Sequence, residues 1–341
     1  MPLLKVNIIS AQGSAGRGVG FYAENLKKAL SKIKTISLTD KNPDIVHYPF
    51  FDLFYKTLPL FKNKKTIVTI HDLTPLILKD KYPKGIKGTL NLIFQRLSLF
   101  NVKAIITDSN SSKRDIVNFF KIPKEKVHTI YIACNPIFSK PVSQKKLDSV
   151  RKKYNLPKKF ILGGTGHPNP NKNLPLLAKV TKDLNFPLVL VGGGMVQQIP
   201  KGKVHPELAD LKKIQSFNHI IYPGFVPTED LVAIYKLAPH YCLPSLYEGF
   251  GITLLEAMSA GTLLVSSNVS SLPELYGDAT LTFNPNSEED LKKVLIKALN
   301  LSSSQKKSFI KKGLLRAKKF SWHKAATQTS NIYNLVARNN R

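Results

Sequence analysis

The sequence predicts an α/β protein built from two doubly wound, Rossmann-like parallel sheets facing a cleft. Three observations carry this. Short apolar runs alternate with helical patterns along both halves of the 341 residues, as parallel strands joined by crossover helices do. Glycine turns follow strands directly, as at Gly163-Gly164-Thr165-Gly166 and Gly192-Gly193-Gly194, where open sheets receive anionic ligands. A charged, proline-punctuated stretch over 139–159 interrupts the alternation and marks a domain boundary. The expected division is 1–150, 151–320 and a last helix over 321–341.

Composition narrows the partners. The net charge of +29 favours anionic surroundings: a nucleotide substrate, an anionic membrane surface or nucleic acid. The lysines are spread over many helices and no nucleic-acid motif stands out, so no nucleic acid is expected. Two cysteines, Cys134 and Cys242, indicate no disulfide framework and a reducing, cytoplasmic setting. No apolar run approaches the length that spans a bilayer. The opening MPLLKVNIIS lacks a cleavable-signal pattern and reads as a first strand.

In the first half, Leu3 to Ser10 is a strand, followed by AQGSAGRGVG and a helix from Phe21 to Leu30. Strand, glycine loop and helix make a phosphate-cradling element. Gly16, Gly18 and Gly20 give G-x-G-x-G, which is not the dinucleotide spacing, and no G-K-[ST] follows. Asp44 to Tyr48 and Thr66 to Ile70 are strands, and the second ends in His71-Asp72. A histidine there can reach a cleft. Residues 84–100 form an amphipathic helix with Leu90, Ile93, Phe94 and Leu97 on one face and lysines 79, 81, 84 and 87 gathered near it. Such a helix can lie on an anionic membrane, but the stripe is expected to pack on the sheet. Ala104 to Thr107 is a strand, Asp108 to Ser111 caps a helix running through Phe120, and Val127 to Ile132 closes this half. The lysines of 139–159 read as a solvated face.

The second half restarts with Phe160 to Leu162, and Lys172-Asn173 opens a helix. Leu188 to Val191 and Ile220 to Tyr222 are strands. Pro223-Gly224-Phe225-Val226 then leads to a helix over Thr228 to Leu237, and the last helices span about 288–339. The chain is organised around 241–278. A buried strand ends at Pro244, a polar turn carries Glu248, and Gly249-Phe250-Gly251 feeds a helix from Ile252 to Ser259 that Gly261 stops. Seven residues separate Glu248 from Glu256, so both can border one cleft.

Glu248-x7-Glu256, with Gly-Phe-Gly inside and Ala-x-x-Ala-Gly after, resembles the donor-site signature of the retaining GT-B glycosyltransferases of group 1, or family 4. GVGFYAENL is similar to that family's G-x-G-x-Y-x-x-x-L. The resemblance implies transfer of a hexose, mannosyl or glucosyl, from a nucleotide diphosphate sugar to a glycan or lipid-linked acceptor in cell-surface polysaccharide biosynthesis. It implies no cofactor and no metal, and no D-x-D is present. Glu256 would hold the ribose hydroxyls, Glu248 and His71 would lie near the donor sugar, and Gly18, Gly20 and Gly249, Phe250, Gly251, Ile252 and Thr253 would offer backbone groups. Val226 would meet the base. Lys172 matches the lysine that grips the diphosphate, but the family's partner arginine is missing, with His167 or Pro168 near its place and Arg17 a candidate substitute. The family's usual glycine near Cys134 is absent too. Trp322 would begin a terminal helix that crosses back to the first domain. The location implied is cytoplasmic, peripheral on the inner membrane face. A nucleotide-sugar epimerase of the same architecture is the first alternative, and a basic nucleic-acid or membrane-surface binding protein the second.

Overall fold

The computed structural model describes residues 3–10, 18–195 and 209–338. Backbone contacts divide the chain into two units, Met1–Ala133 with Phe320–Arg341, and Cys134–Lys319. Each is a six-stranded parallel sheet with helices around it.

The first unit runs β1 (Leu4–Ile8), α1 (Gly18–Leu30), β2 (Ile36–Leu38), β3 (Ile45–Tyr48), β4 (Lys65–Thr69), α2 (Thr74–Ile77), α3 (Gly85–Ser98), β5 (Ala104–Thr107), α4 (Asn110–Phe120) and β6 (Val127–Thr129). Its strand order is β2-β1-β3-β4-β5-β6. Ala104 to Thr107 are all buried, as befits a parallel strand covered on both faces. Ile67, Val68, Ile105, Ile116 and Val127 lie in the core. The helix after β1 begins at Gly18 rather than Phe21. Gly18 and Gly20 therefore sit in its first turn and not in a loop, a start that glycine's low helix propensity conceals. Gly16 and Arg17 fall outside the described residues. Within the expected capping stretch, Ser109 caps α4, accepting from the Ser112 N–H at 3.0 Å.

The helix over 85–98 departs from expectation. Leu90, Ile93 and Leu97 face outward, while Gly88, Gln95 and Ser98 are buried. The reason is a set of hydrogen bonds to the preceding loop. Gln95 donates to the Asp52 carbonyl at 2.6 Å and to Thr57 at 2.8 Å, and Asn91 donates to the Phe54 carbonyl at 2.7 Å.

The second unit runs α5 (Gln144–Lys153), β7 (Ile161–Thr165), α6 (Leu174–Asp183), β8 (Leu188–Val191), α7 (Ala209–Ile214), β9 (Ile220–Gly224), α8 (Thr228–Leu237), β10 (His240–Leu243), α9 (Ile252–Ala260), β11 (Leu263–Ser267), α10 (Leu272–Tyr276), β12 (Leu281–Phe283), α11 (Glu288–Leu299) and α12 (Ser303–Ala317). Its order is β12-β11-β10-β7-β8-β9. Successive strands leave β7 in opposite directions, so the sheet switches between β7 and β10. Open sheets bind ligands at the carboxyl ends flanking such a point.

The division falls between Ala133 and Cys134, ahead of the 150/151 expected, because α5 packs on α8. Asp230 of α8 is 4% exposed and pairs with Lys146, with Lys153 at 2.7 Å and with the Tyr154 hydroxyl at 2.8 Å. Burial alone would raise its carboxyl. The three donors instead hold it well below the carboxylate range. Lys146 and Lys153, with side chains 43% and 56% exposed, thus anchor α5 from a solvated face.

The chain ends in α13 (Trp322–Arg338), which packs on α1 in the first unit. Tyr333 is fully buried there, 2.7 Å from His47 Nδ1, and Lys65 donates to the Ala337 carbonyl at 2.7 Å.

Candidate functional site

The second unit gathers its charged groups at the β7/β10 switch. Past β7, a tight turn at Pro170–Lys172 ends on Asn173 in the left-handed conformation, and α6 starts immediately after. That turn brings the Lys172 ammonium back over the sheet end. Past β10, Pro244 stops the strand and the chain turns through Glu248 into α9. Lys172 Nζ lies 2.6 Å from Glu248 Oε1. Both side chains are largely buried, 14% and 9% exposed, so the pair is shielded from solvent.

Serines and an asparagine fix the Glu248 turn. Ser245 donates to Glu248 Oε1 at 2.6 Å, Ser271 to the Glu248 carbonyl at 2.8 Å, and the Glu248 N–H donates to Ser270 Oγ at 2.9 Å. Asn171 joins the two loops, donating to the Tyr247 carbonyl at 2.9 Å while its own carbonyl accepts from the Leu246 N–H at 2.7 Å.

Gly251 caps α9 at φ +96°, and a Cβ there would sit 2.7 Å from Leu272 Cδ2. No side chain caps this N-terminus, so its N–H groups and helix dipole point toward an anion position. Thr253, in the first turn, accepts from the Tyr241 hydroxyl at 2.8 Å. Glu256, one turn on, accepts from the Tyr235 hydroxyl at 3.0 Å, and Thr165 lies 2.9 Å from that phenol. Burial raises the Glu256 carboxyl to about 7, against the Tyr235 hydrogen bond and the Lys172 charge. Lys172 therefore acts on both glutamates, by contact on one and by its field on the other.

Glycines make the neighbouring loops compatible. At Gly192, φ +155°, a Cβ would fall 2.0 Å from the Gly166 carbonyl oxygen. Val226 is 7% exposed and follows β9, two strands from β7. His167 is exposed in the loop after β7. Gly249 and Phe250 lie in the turn ahead of α9, and Ile252 is its first residue.

The first unit holds a second constellation. His71 follows β4 and Asp108 follows the adjacent β5. Nδ1 of His71 is 2.6 Å from Asp108 Oδ2, and Nε2 is 3.2 Å from the Pro49 carbonyl. Burial would lower the imidazole, but Asp108, followed by Asp72 and the Pro49 carbonyl, brings the net shift upward. Both ring nitrogens face acceptors, which suits the imidazolium. Behind it, Tyr22 meets the His71 ring edge-on at 4.8 Å and hydrogen-bonds Thr69 at 3.0 Å, and Thr69 contacts His47 at 2.8 Å. His47 is held neutral, its pKa lowered to about 3 by burial and then by the His71 charge.

Sequence reasoning missed Asp108 as a partner of His71, and Tyr235, Ser245, Ser270, Ser271 and Asn171 around the glutamates. Asp108 was legible as the carboxylate ending the strand next to His71's. Tyr235 was not, since an apolar helix hides one hydroxyl among core residues.

Comparison with known proteins agrees with this architecture. Residues 147–315 match the model of glycosyl transferases group 1, and residues 6–136 that of glycosyltransferase family 4. The O-antigen chain mannosyltransferase B of Escherichia coli is 31% identical over 307 residues, covering 88% of this chain and 76% of that protein. The serotype-specific mannosyltransferase WbdA of Escherichia coli is 30% identical over 318 residues; the match takes in 88% of this chain but 38% of WbdA, a much longer protein. Among solved structures, sucrose-phosphate synthase from Thermosynechococcus elongatus superposes with TM-score 0.74 at 17% identity, over 97% of this chain and 98% of that one. Anabaena HepE, solved with UDP and glucose, gives TM-score 0.74 at 14% identity over 97% and 99%. The fold is thus GT-B. The chain belongs to the group 1, family 4 glycosyltransferases, and its activity is glycosyl transfer.

Proposed function

We propose that the protein moves a hexose, mannose before glucose, from a nucleotide diphosphate sugar to a glycan or lipid-linked acceptor, with retention at the anomeric carbon and without a metal. The observation that carries this is the Lys172–Glu248 pair at 2.6 Å, set on the β7/β10 switch beside the uncapped start of α9. The mannosyltransferase relatives support the sugar, and the neighbour solved with UDP and glucose supports the donor class.

A lysine ammonium carries three donors, and Glu248 takes one. The rest serve the donor diphosphate, with the α9 N–H groups supplying preorganised dipoles. Glu256, as carboxylate, accepts from the ribose hydroxyls. In transfer, the bond from the anomeric carbon to the diphosphate oxygen breaks and the bond to the acceptor oxygen forms on the same face. The departing phosphate oxygen takes the acceptor proton, so no side chain need be the base. A lipid-linked acceptor would also bring the enzyme to an anionic membrane surface.

The test is a thermal-shift and transfer assay over UDP-, GDP- and ADP-sugars, with and without EDTA, on wild type, Lys172→Ala and Glu256→Ala. One donor class should stabilise the wild type, neither variant should respond, and EDTA should change nothing. A shift that survives both substitutions places the donor elsewhere.

A further inference from the structure

Seven described residues other than glycine hold positive φ, and Ser270 stands apart from the rest. Five of the others are asparagine, which tolerates the left-handed region, and Lys121 is the C-cap of α4. Ser270, at φ +51°, lies in the connection from β11 to α10. Glycine would adopt that backbone without strain. A strained position that keeps its side chain points to a task for that side chain. Ser270 Oγ accepts from the Glu248 N–H at 2.9 Å.

Ser271 is unusual in a second way. It is the N-cap of α10, where a serine hydroxyl ordinarily accepts from its own helix. Here no such bond forms, and the hydroxyl donates to the Glu248 carbonyl at 2.8 Å. Ser267, which ends β11, donates to the Ser245 carbonyl at 2.6 Å, and Ser245 in turn donates to Glu248 Oε1 at 2.6 Å. Ser245, Ser267 and Ser271 are at most 1% exposed, so water does not compete for these bonds. One connection thus holds Glu248 by its N–H, by its carbonyl and, through Ser245, by its carboxylate. The carboxylate keeps one oxygen in reserve. Lys172 and Ser245 both bond Oε1, and Oε2 takes no hydrogen bond among the described residues.

We infer that Ser270 and Ser271 are positioning residues for recognition of the transferred sugar: they fix the Glu248 turn so that Oε2 accepts from one hexose hydroxyl. The inference rests on the proposed reaction, which puts Glu248 beside the hexose. Neither serine need touch the sugar. A carboxylate on a short turn moves with its peptide units, and a hydrogen bond to a hydroxyl weakens steeply once its direction is lost. Ser270 and Ser271 hold the two peptide units that flank the Glu248 Cα, and the strain at Ser270 is the cost of reaching the first of them.

The test is isothermal titration calorimetry on the full chain with UDP, GDP and ADP beside UDP-glucose, GDP-mannose and ADP-glucose. Wild type is compared with Glu248→Gln, Ser270→Gly and Ser271→Ala, and melts and transfer rates accompany the titrations. Ser270→Gly should melt near the wild-type temperature, because release of the positive φ offsets the lost bond. Both serine variants should bind the preferred nucleotide sugar about tenfold more weakly and transfer about tenfold more slowly, with affinity for the bare nucleoside diphosphate unchanged. Glu248→Gln should lose the same preference for the sugar-bearing nucleotide. Serines that only brace the fold would lower the melting temperature and leave the ratio of the two affinities untouched. That result, or wild-type sugar affinity in Ser270→Gly, overturns the inference while the Glu248→Gln loss keeps the proposed reaction standing. If no nucleotide binds the wild type, or Glu248→Gln binds the nucleotide sugar as wild type does, the proposed reaction fails and this inference with it.

Discussion

Lys172 Nζ and Glu248 Oε1 lie 2.6 Å apart, yet each belongs to a loop leaving a different strand of one sheet. The bond therefore ties the end of β7 to the end of β10. Losing the lysine leaves a buried carboxylate stranded, which costs about 3 kcal/mol or more. Lys172→Ala should lower stability in urea by roughly that amount and abolish transfer. Lys172→Met with Glu248→Gln removes both charges, so it should regain most of the stability and none of the activity. Urea midpoints set beside initial rates separate the two effects.

Glu256 carries a pH signature. Its folded pKa of about 7 lies above the unfolded value of 4.5. The folded state therefore binds more protons between those values, and stability falls as pH rises through that window. Glu256→Gln should be more stable than wild type at pH 8 by roughly 1–2 kcal/mol and should show a flatter profile from pH 5 to 8. Donor affinity should run the other way and tighten as pH climbs past 7, because the carboxylate is the accepting form. Tyr235→Phe removes the hydrogen bond that pulls the carboxyl down, so it should move this affinity midpoint to higher pH.

His71 and Asp108 form the second pH-sensitive pair. The imidazole pKa is raised, so its stabilisation is complete below the unfolded value of 6.5 and disappears as pH rises through the folded one. Asp108→Asn should drop the His71 pKa below 6.5, since burial then acts without its main counterweight. Imidazole chemical shifts followed across pH read this directly. A titration identical in the two proteins contradicts the pairing.

Gly192 tests the close passage of two loops. A methyl group would meet the Gly166 carbonyl oxygen at 2.0 Å, and backbone cannot swing aside as a side chain can. Gly192→Ala should therefore destabilise by about 2 kcal/mol or more, whereas Gly18→Ala, with nothing within 4 Å of the added carbon, should be neutral or mildly stabilising. Calorimetric melting temperatures compare them.

Much of this was written in local pattern. The helix expected over Thr228 to Leu237 has those bounds in the structure, because an apolar face followed a proline and ended before a strand. Gly251 and Gly261 bracket α9 as their positions foretold. The strands over Ile36–Leu38 and Leu281–Phe283 escaped notice, since three residues give no periodicity and both form sheet edges. The α3 stripe was misread because periodicity reports that a helix has two faces and not which one is inside. Hydrogen bonds from Gln95 and Asn91 to a distant loop decide that. Asp230 drew Lys146 and Lys153 into the second unit for a similar reason. An ion pair spanning 84 residues leaves no trace in local composition.

The placement of α13 has a consequence for biogenesis. Trp322 meets Phe21 edge-on at 5.8 Å, and Tyr333 reaches His47, so a segment made before Cys134–Lys319 is completed by one made after it. On the ribosome, Cys134–Lys319 emerges as one uninterrupted stretch and can acquire its structure while translation continues. The amino-terminal sheet must meanwhile persist with α1 uncovered until α13 has been made. α13 is thus a closing stitch, and a chain cut between Lys319 and Trp322 would have one finished body and one left open.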